Sequence, residues 1–283
     1  MNAGIQGEHD KLERRAQLIR GYAREGFCFP FAVLTPDEVE HYRNQIEALE
    51  DHFGGRIQAT SVIQPHLHLN WARELATHPA ILAAVDAIIG PDILVHSSTI
   101  FCKYPDATSR IPFHQDGHYW RLDKPLLVSA WVALTPSRVH NGCLRVVPRS
   151  QDEDRPHVNR PSPDHMLATG MQMAQQPEEE HIVDIELDPG EMSLHHVNLV
   201  HGSSPNHSRE KRLGYAIRYV AADVVQALPH HPVLLAQGQH SGGSYTLWQE
   251  PYHEKLADAL SQARDFGAEI LARRLNPQPA AKD

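Results

Sequence analysis

The stretch ILVHSSTIFCKY (residues 93–104) decides the architecture. It is rich in β-branched and aromatic side chains, which suit a pleated, half-buried surface, and it reads as a strand. Upstream of it the chain reads as helix, over residues 9–25 and 36–53. In the second segment Thr35 is a good N-cap, Pro36 suits the first helical position, and Gly54-Gly55 stops the helix. PAILAAVDAII (79–89) is a short apolar helix ended by Gly90-Pro91. Downstream, LLVSAWVALT (126–135), GCLRVVP (142–148), HIVDIEL (181–187), MSLHHVNLVH (192–201) and RLGYAIRYV (212–220) read as further strands. Pro136, Asn141-Gly142, Asp188-Pro189-Gly190 and the run from Ser203 to Asn206 separate them. Many short strands so punctuated indicate a sandwich or barrel rather than alternating βαβ units. Residues 149–180 are rich in Gln, Glu, Asp, His and Pro and lack β-periodicity. They read as a long surface insertion, either a lid or a solvated loop without function. Residues 252–273 form an amphipathic C-terminal helix. No repeat or linker divides the chain, so one domain over 1–283 is expected, with a helical part at 8–90 and a β core at about 92–222.

The 283 residues are 41% hydrophobic, enough for a substantial core, and the formal charge is -9. That acidic balance offers no broad electrostatic footprint for nucleic acid or an anionic membrane. Cys28, Cys102 and Cys143 are isolated and odd in number, with no CxxC pair, which argues for a reducing compartment. The N-terminal MNAGIQGEHDKLERR lacks an apolar stretch of signal-peptide length, and no run approaches a membrane span. A cytoplasmic protein acting on a small molecule, with neither nucleic acid nor membrane as partner, is expected.

SRIPFHQDGHYW (109–120) places His114 and Asp116 two residues apart. On an extended segment both point to one side, where an imidazole and a carboxylate can share an ion. LVHGSSPN brings His201 to the end of an apolar strand. Two histidines and one carboxylate leave three positions of an octahedral ion open, an arrangement suited to Fe(II) that must bind a cosubstrate and O2 together. In a chain with 21 histidines the trio alone is weak evidence. Arg212, eleven residues after His201, strengthens it: a guanidinium there could grip the distal carboxylate of 2-oxoglutarate bidentately.

At these residues the chain resembles the phytanoyl-CoA dioxygenase family of Fe(II)/2-oxoglutarate oxygenases. The resemblance runs from about residue 20 to 222 and is densest in PFHQDGHYW, in LVSAWVALTPSRVHNGCLRVVPRSQ and in PGEMSLHHVNLVHGSSPNHSREKRLGYAIRYV. It implies that His114, Asp116 and His201 are the iron ligands and that Arg212 binds the distal carboxylate. It places Trp131 beside the cosubstrate and matches Lys103, in FCKYP, to a polar cosubstrate contact. The implied fold is mainly β with flanking α: a double-stranded β-helix, or cupin-like jelly roll, with N-terminal helices and a C-terminal helix. The helices would be structural and would support a homodimer. The implied activity is that of a dioxygenase, with release of succinate and CO2. Arg149 departs from the family pattern, where PRSQ replaces the usual PGSH. A carboxylate at Asp116 disfavours halogenation, because related halogenases carry a small residue there.

The substrate side is read less sharply. His118, Tyr119 and Trp120 could line it, or the two aromatics could be barrel packing. His66 and His68, in QPHLHLNW, could reach the mouth, bind a second metal, or form a polar strand face. His195 and His196 alternate faces, so at most one points at the site. Arg121 and Arg145 are candidate anchors for an acidic group, while Arg218 reads as structural. The expected substrate is a small polar or acidic metabolite: an amino acid derivative, a phosphonate or a natural-product intermediate. No basic track marks a CoA nucleotide. Desaturation, cyclisation or demethylation could replace hydroxylation, and a cupin-like binder without oxygen chemistry is the reading from another class.

Overall fold

A computed structural model describes residues 13, 16, 17, 19–105, 107–167, 170–227, 230–240 and 242–275. The expected helix over 9–25 lies partly outside these residues and is helical where described, through residue 25. Helix α1 (Pro36–His52) starts with a full capping box: Glu38 N donates to Thr35 Oγ1, and Thr35 N donates to the Glu38 carboxylate. Short helices α2 (Pro65–His68), α3 (Asn70–Ala76) and α4 (Pro79–Ile89) follow.

The strands form two principal sheets rather than a closed barrel. The large sheet has the order β1-β9-β4-β11-β2-β12-β13, built from β1 (Phe27–Ala32), β9 (Glu191–His196), β4 (Leu127–Ala133), β11 (Arg212–Ala221), β2 (Ile93–Lys103), β12 (His231–Gln237) and β13 (Tyr245–Leu247). The small sheet, β3-β10-β5-β8, comprises β3 (Ile111–His114), β10 (His201–Ser203), β5 (Leu144–Val146) and β8 (Val183–Ile185). Helix α5 (Gly117–Trp120) follows β3, and α6 (Leu256–Leu275) is the C-terminal helix. Alternation along β11 separates the layers. Leu213, Tyr215, Ile217 and Tyr219 face the helices, in a core shared with Ile46, Leu75, Ile81 and Phe266. On that side Tyr219 Oη donates to Ala76 O at 2.9 Å. Arg212, Gly214, Ala216 and Arg218 occupy the other face, where Phe101, Trp131, Ala133 and Ala216 pack on Leu144, Val146 and Ile185 of the small sheet. The jelly-roll expectation, mainly β with flanking helices, therefore holds as two facing sheets with helices outside the larger one.

Several boundaries differ from the sequence expectation. MSLHHVNLVH is not one strand: β9 ends at His196, residues 197–200 turn, and His201 opens β10 in the other sheet. The β region exceeds 92–222, because β1 precedes it and β12 and β13 follow. The insertion at 149–180 carries a small hairpin, β6 (His157–Asn159) with β7 (Met171–Met173). His66 and His68 lie on a helical turn, not an extended segment.

Candidate metal centre

β3 and β10 pair antiparallel with His114 opposite His201, which brings the imidazoles together at the end of the small sheet, ring centroids 4.3 Å apart. Asp116 is not extended as expected. It sits at φ -60° and ψ -37°, heading the turn of α5, and that bend swings its carboxylate back to 3.3 Å from His114 Nε2. The three side chains are buried, at 2%, 4% and 5% exposure, with potential ligand atoms all within 4.8 Å of one another.

The surroundings fix their chemical state. His114 Nδ1 lies 2.9 Å from Pro112 O, and His201 Nδ1 lies 2.9 Å from Leu199 O. A carbonyl only accepts, so each Nδ1 carries a proton and each Nε2 is turned toward the common centre, where it can bind a metal once it carries none. Burial, and next the His114 ring, lower His201 to about 4, keeping it neutral. Burial alone would raise the pKa of Asp116, but the charge of Arg218 and the contact with His114 outweigh it and hold the carboxyl ionised, well below the usual range. Arg218 Nε lies 3.4 Å from Asp116 Oδ2 while its Nη1 donates to Thr99 Oγ1 at 3.0 Å. Two imidazoles and one ionised carboxylate, converging with their outer atoms held, match the donor set of a non-haem Fe(II) facial triad.

A second feature lies between the sheets. Arg212 is 1% exposed, its guanidinium 5.0 Å from the Trp131 ring centroid, and its Nε and Nη2 have no hydrogen-bond partner. Burial lowers its pKa to about 10. Lys103, its cross-strand partner, is also buried. Burial, and next the charge of Arg212, push the Lys103 ammonium well below its ordinary value. Lys103 Nζ donates to Ser203 Oγ at 2.6 Å and to Ser204 O. A buried guanidinium with two idle donors is a cradle for a carboxylate. Gly214 keeps the cradle open, because a Cβ there would overlap the Trp131 ring.

The expected substrate residues scatter. Tyr119 stays near the metal, its ring centroid 5.8 Å from that of His114. Trp120 packs on His96 at 4.9 Å, and His118 and Arg121 are exposed at the rim, His118 stacked on His157 at 4.3 Å. His66 is not brought to the mouth. It is fully buried on the helical side of the large sheet, with its Nδ1 2.7 Å from Ser98 Oγ. Arg145 is tied to Asp184 and Glu179. His195 is the member of its pair that faces the centre, its ring centroid 4.6 Å from that of His201.

Two residues escaped the sequence reading. Arg218, taken as structural, holds Asp116; its spacing of six from Arg212 puts both on one strand face and was the available signal. Gln115, between the ligands, ties their loop to the insertion and to the turn before His201. Its Nε2 donates to Glu153 O at 2.8 Å and Asn198 O at 2.5 Å, and its backbone N donates to His157 Nε2 at 3.0 Å.

A candidate triad of this kind beside a buried arginine cradle is the arrangement a non-haem iron oxygenase would need, and comparison with known proteins points to a family of that class. The family model described as phytanoyl-CoA dioxygenase matches residues 22–214. The chain belongs to the phytanoyl-CoA dioxygenase family of Fe(II)/2-oxoglutarate-dependent oxygenases. Human peroxisomal phytanoyl-CoA dioxygenase is 31% identical over 160 residues, covering 52% of this chain and 45% of that protein. Ectoine dioxygenase of Streptomyces coelicolor is 27% identical over 142 residues, covering 45% of this chain and 48% of that one. The chain thus spans about half the length of these curated relatives. Among solved structures, the apo form of the non-heme monooxygenase ThoJ superimposes with a TM-score of 0.76 at 27% identity, covering 92% of this chain and all of that one. The alpha-ketoglutarate-dependent epimerase SnoN from nogalamycin biosynthesis gives 0.62 at 25% identity, covering 76% of this chain and 85% of that one. Among the described residues no helix is long and apolar enough to cross a membrane.

Proposed function

We propose that this protein is a cytoplasmic dioxygenase that hydroxylates an unactivated C–H bond of a small polar metabolite and releases succinate and CO2. The observation that carries the reading is the buried Arg212, whose two idle donors sit on the sheet facing the triad. A binder without oxygen chemistry has no use for that cradle. Three free, buried cysteines accord with a reducing compartment.

Fe(II) and 2-oxoglutarate, when bound, would supply the electrons that activate O2, the oxidant for C–H attack. His114, Asp116 and His201 would hold the metal on one side and leave the opposite positions open. Arg212 would take the distal carboxylate in a bidentate grip, with the Trp131 ring fixing the guanidinium plane. Arg218 keeps Asp116 ionised and oriented. Gln115 and His157 fasten the insertion over the ligand loop, which limits the entry of water. Tyr119 stands where a substrate would approach, with His118, Trp120 and Arg121 further out.

Purified protein given Fe(II), ascorbate and 2-oxoglutarate should release succinate slowly without added substrate, and Asp116→Ala should lose both the iron and this background. A wild-type protein that binds iron yet forms no succinate under any condition would refute the assignment.

A further inference from the structure

The inner face of the large sheet beside the triad carries a band of polar groups that the protein does not use. Ser129 on β4 and His195 on β9 are direct cross-strand partners. Ser129 is also opposite Arg218 on β11, which in turn is opposite Ser97 on β2. Ser193, two residues before His195, is opposite Trp131. Partners in register point to the same face, so Ser97, Ser129, Ser193 and His195 join the face that holds Arg218 and Trp131. Ser129 and Ser193 are 1% exposed and His195 is 4% exposed. The Oγ atoms of all three serines and Nδ1 of His195 have no hydrogen-bond partner in the protein. One such atom is unremarkable. Four on one patch, next to the ring of His201, mark a surface made to receive hydrogen bonds.

The band also selects by charge. Its one guanidinium, Arg218, is engaged by Asp116 and Thr99. The cationic anchors expected for an acidic substrate are elsewhere, Arg145 tied to Asp184 and Glu179 and Arg121 exposed at the rim. What remains are hydroxyls and an imidazole, groups that donate and accept hydrogen bonds but bring no fixed positive charge to pair with an anion. We propose that this band is the substrate subsite beside the metal and that it takes a neutral, hydroxyl-bearing substrate, of the polyol or glycoside class. Ser129 and His195 would hold a hydroxyl adjacent to the carbon attacked. The inference rests on the oxygenase reading above.

The test uses the full chain loaded with Fe(II) and 2-oxoglutarate. The probes are neutral polyols and alkyl glycosides, each with its deoxy counterpart, and matched carboxylates. Succinate above the substrate-free background is measured. The hydroxylated members should stimulate several-fold and their deoxy counterparts should not. Ser129→Ala and His195→Phe should each raise the apparent KM for the stimulating probe roughly tenfold, the scale of one hydrogen bond. A second readout is independent of turnover: the metal-free variants should unfold at the wild-type temperature or above it, because no intraprotein hydrogen bond is lost. The proposal is overturned if only carboxylates or wholly apolar compounds stimulate, if no hydroxylated probe does, or if both metal-free variants melt several degrees lower. A wild type without background succinate would sink the oxygenase reading instead, and the melting comparison would still judge the band.

Discussion

Replacing Arg212 by Met should make the cofactor-free protein more stable while removing its cosubstrate. The guanidinium is 1% exposed and its pKa is lowered by burial from 12.5 to about 10. That depression corresponds to ~3 kcal/mol of unfavourable desolvation. Stacking on Trp131 at 5.0 Å returns ~1–2 kcal/mol. A methionine of similar length fills the space without the charge, so a net gain of ~1–2 kcal/mol is expected, visible as a rise of a few degrees in the melting temperature of metal-free protein. For 2-oxoglutarate the sign reverses. Two charge-assisted hydrogen bonds of ~1.5–3 kcal/mol each are lost, so the dissociation constant should rise at least about a hundredfold. Iron binding should persist, because no triad atom touches Arg212. Thermal melts with and without 2-oxoglutarate, together with calorimetric titration of the metal-loaded protein, read both effects. A variant that is clearly less stable yet binds 2-oxoglutarate within a few-fold of wild type would refute the reasoning and make Arg212 a structural residue.

Three other outcomes follow from the geometry. Arg218→Ala, which frees the outer oxygen of Asp116, should weaken iron binding ~10- to 100-fold in a chelator competition, with Arg218→Lys intermediate. Gly214→Ala should push Trp131 aside, destabilise the protein by ~1–3 kcal/mol in urea melts and raise the 2-oxoglutarate requirement together with it. Acid should destabilise the protein through His66 and His96. Burial lowers His66 to about 3 and His96 well below its ordinary value, so both stay neutral in the fold while the unfolded chain takes up protons near 6.5. Their stabilising effect is complete above pH 6.5 and declines as the pH falls toward the folded values. Between pH 7.5 and 5.5 the two should remove ~3 kcal/mol, and His66→Gln should halve that slope if it folds.

Much of the site was legible because its parts are local. HQD carries two candidate ligands within three residues, and Arg212 opens a strand whose alternation aims it inward. The less legible parts depend on distant partners. Nothing in LHHVNLV marks the break at which the chain leaves the large sheet, since both halves are apolar and the change of sheet is set by pairing with Val128 on one side and His114 on the other. FCFPFA holds a proline and is short, and it becomes a strand because β9 offers an edge. His66 looked available from its spacing, but Ser98 draws it to the helical layer. The role of Arg218 required the helical bend at Asp116, which a reading of extended His-x-Asp could not supply. The fold class survived these errors because it rests on the number and punctuation of strands rather than on their ends.

The division of labour between the sheets has a further consequence. The triad histidines belong to the small sheet and the carboxylate cradle to the large one, joined mainly by the apolar cluster of Phe101, Trp131, Leu144, Val146 and Ile185. On the proposed reading a keto acid that meets both ends would have to span the gap, so the thickness of that cluster would act as a gauge of cosubstrate length. Side chains of that cluster, Val146 among them as the cross-strand partner of His201, would thereby bear on which dicarboxylate fits. Trimming Ile185, which pairs with Leu144 rather than with a strand that carries the triad, would then be a way to shift the preference toward a different oxo-acid without disturbing a candidate ligand.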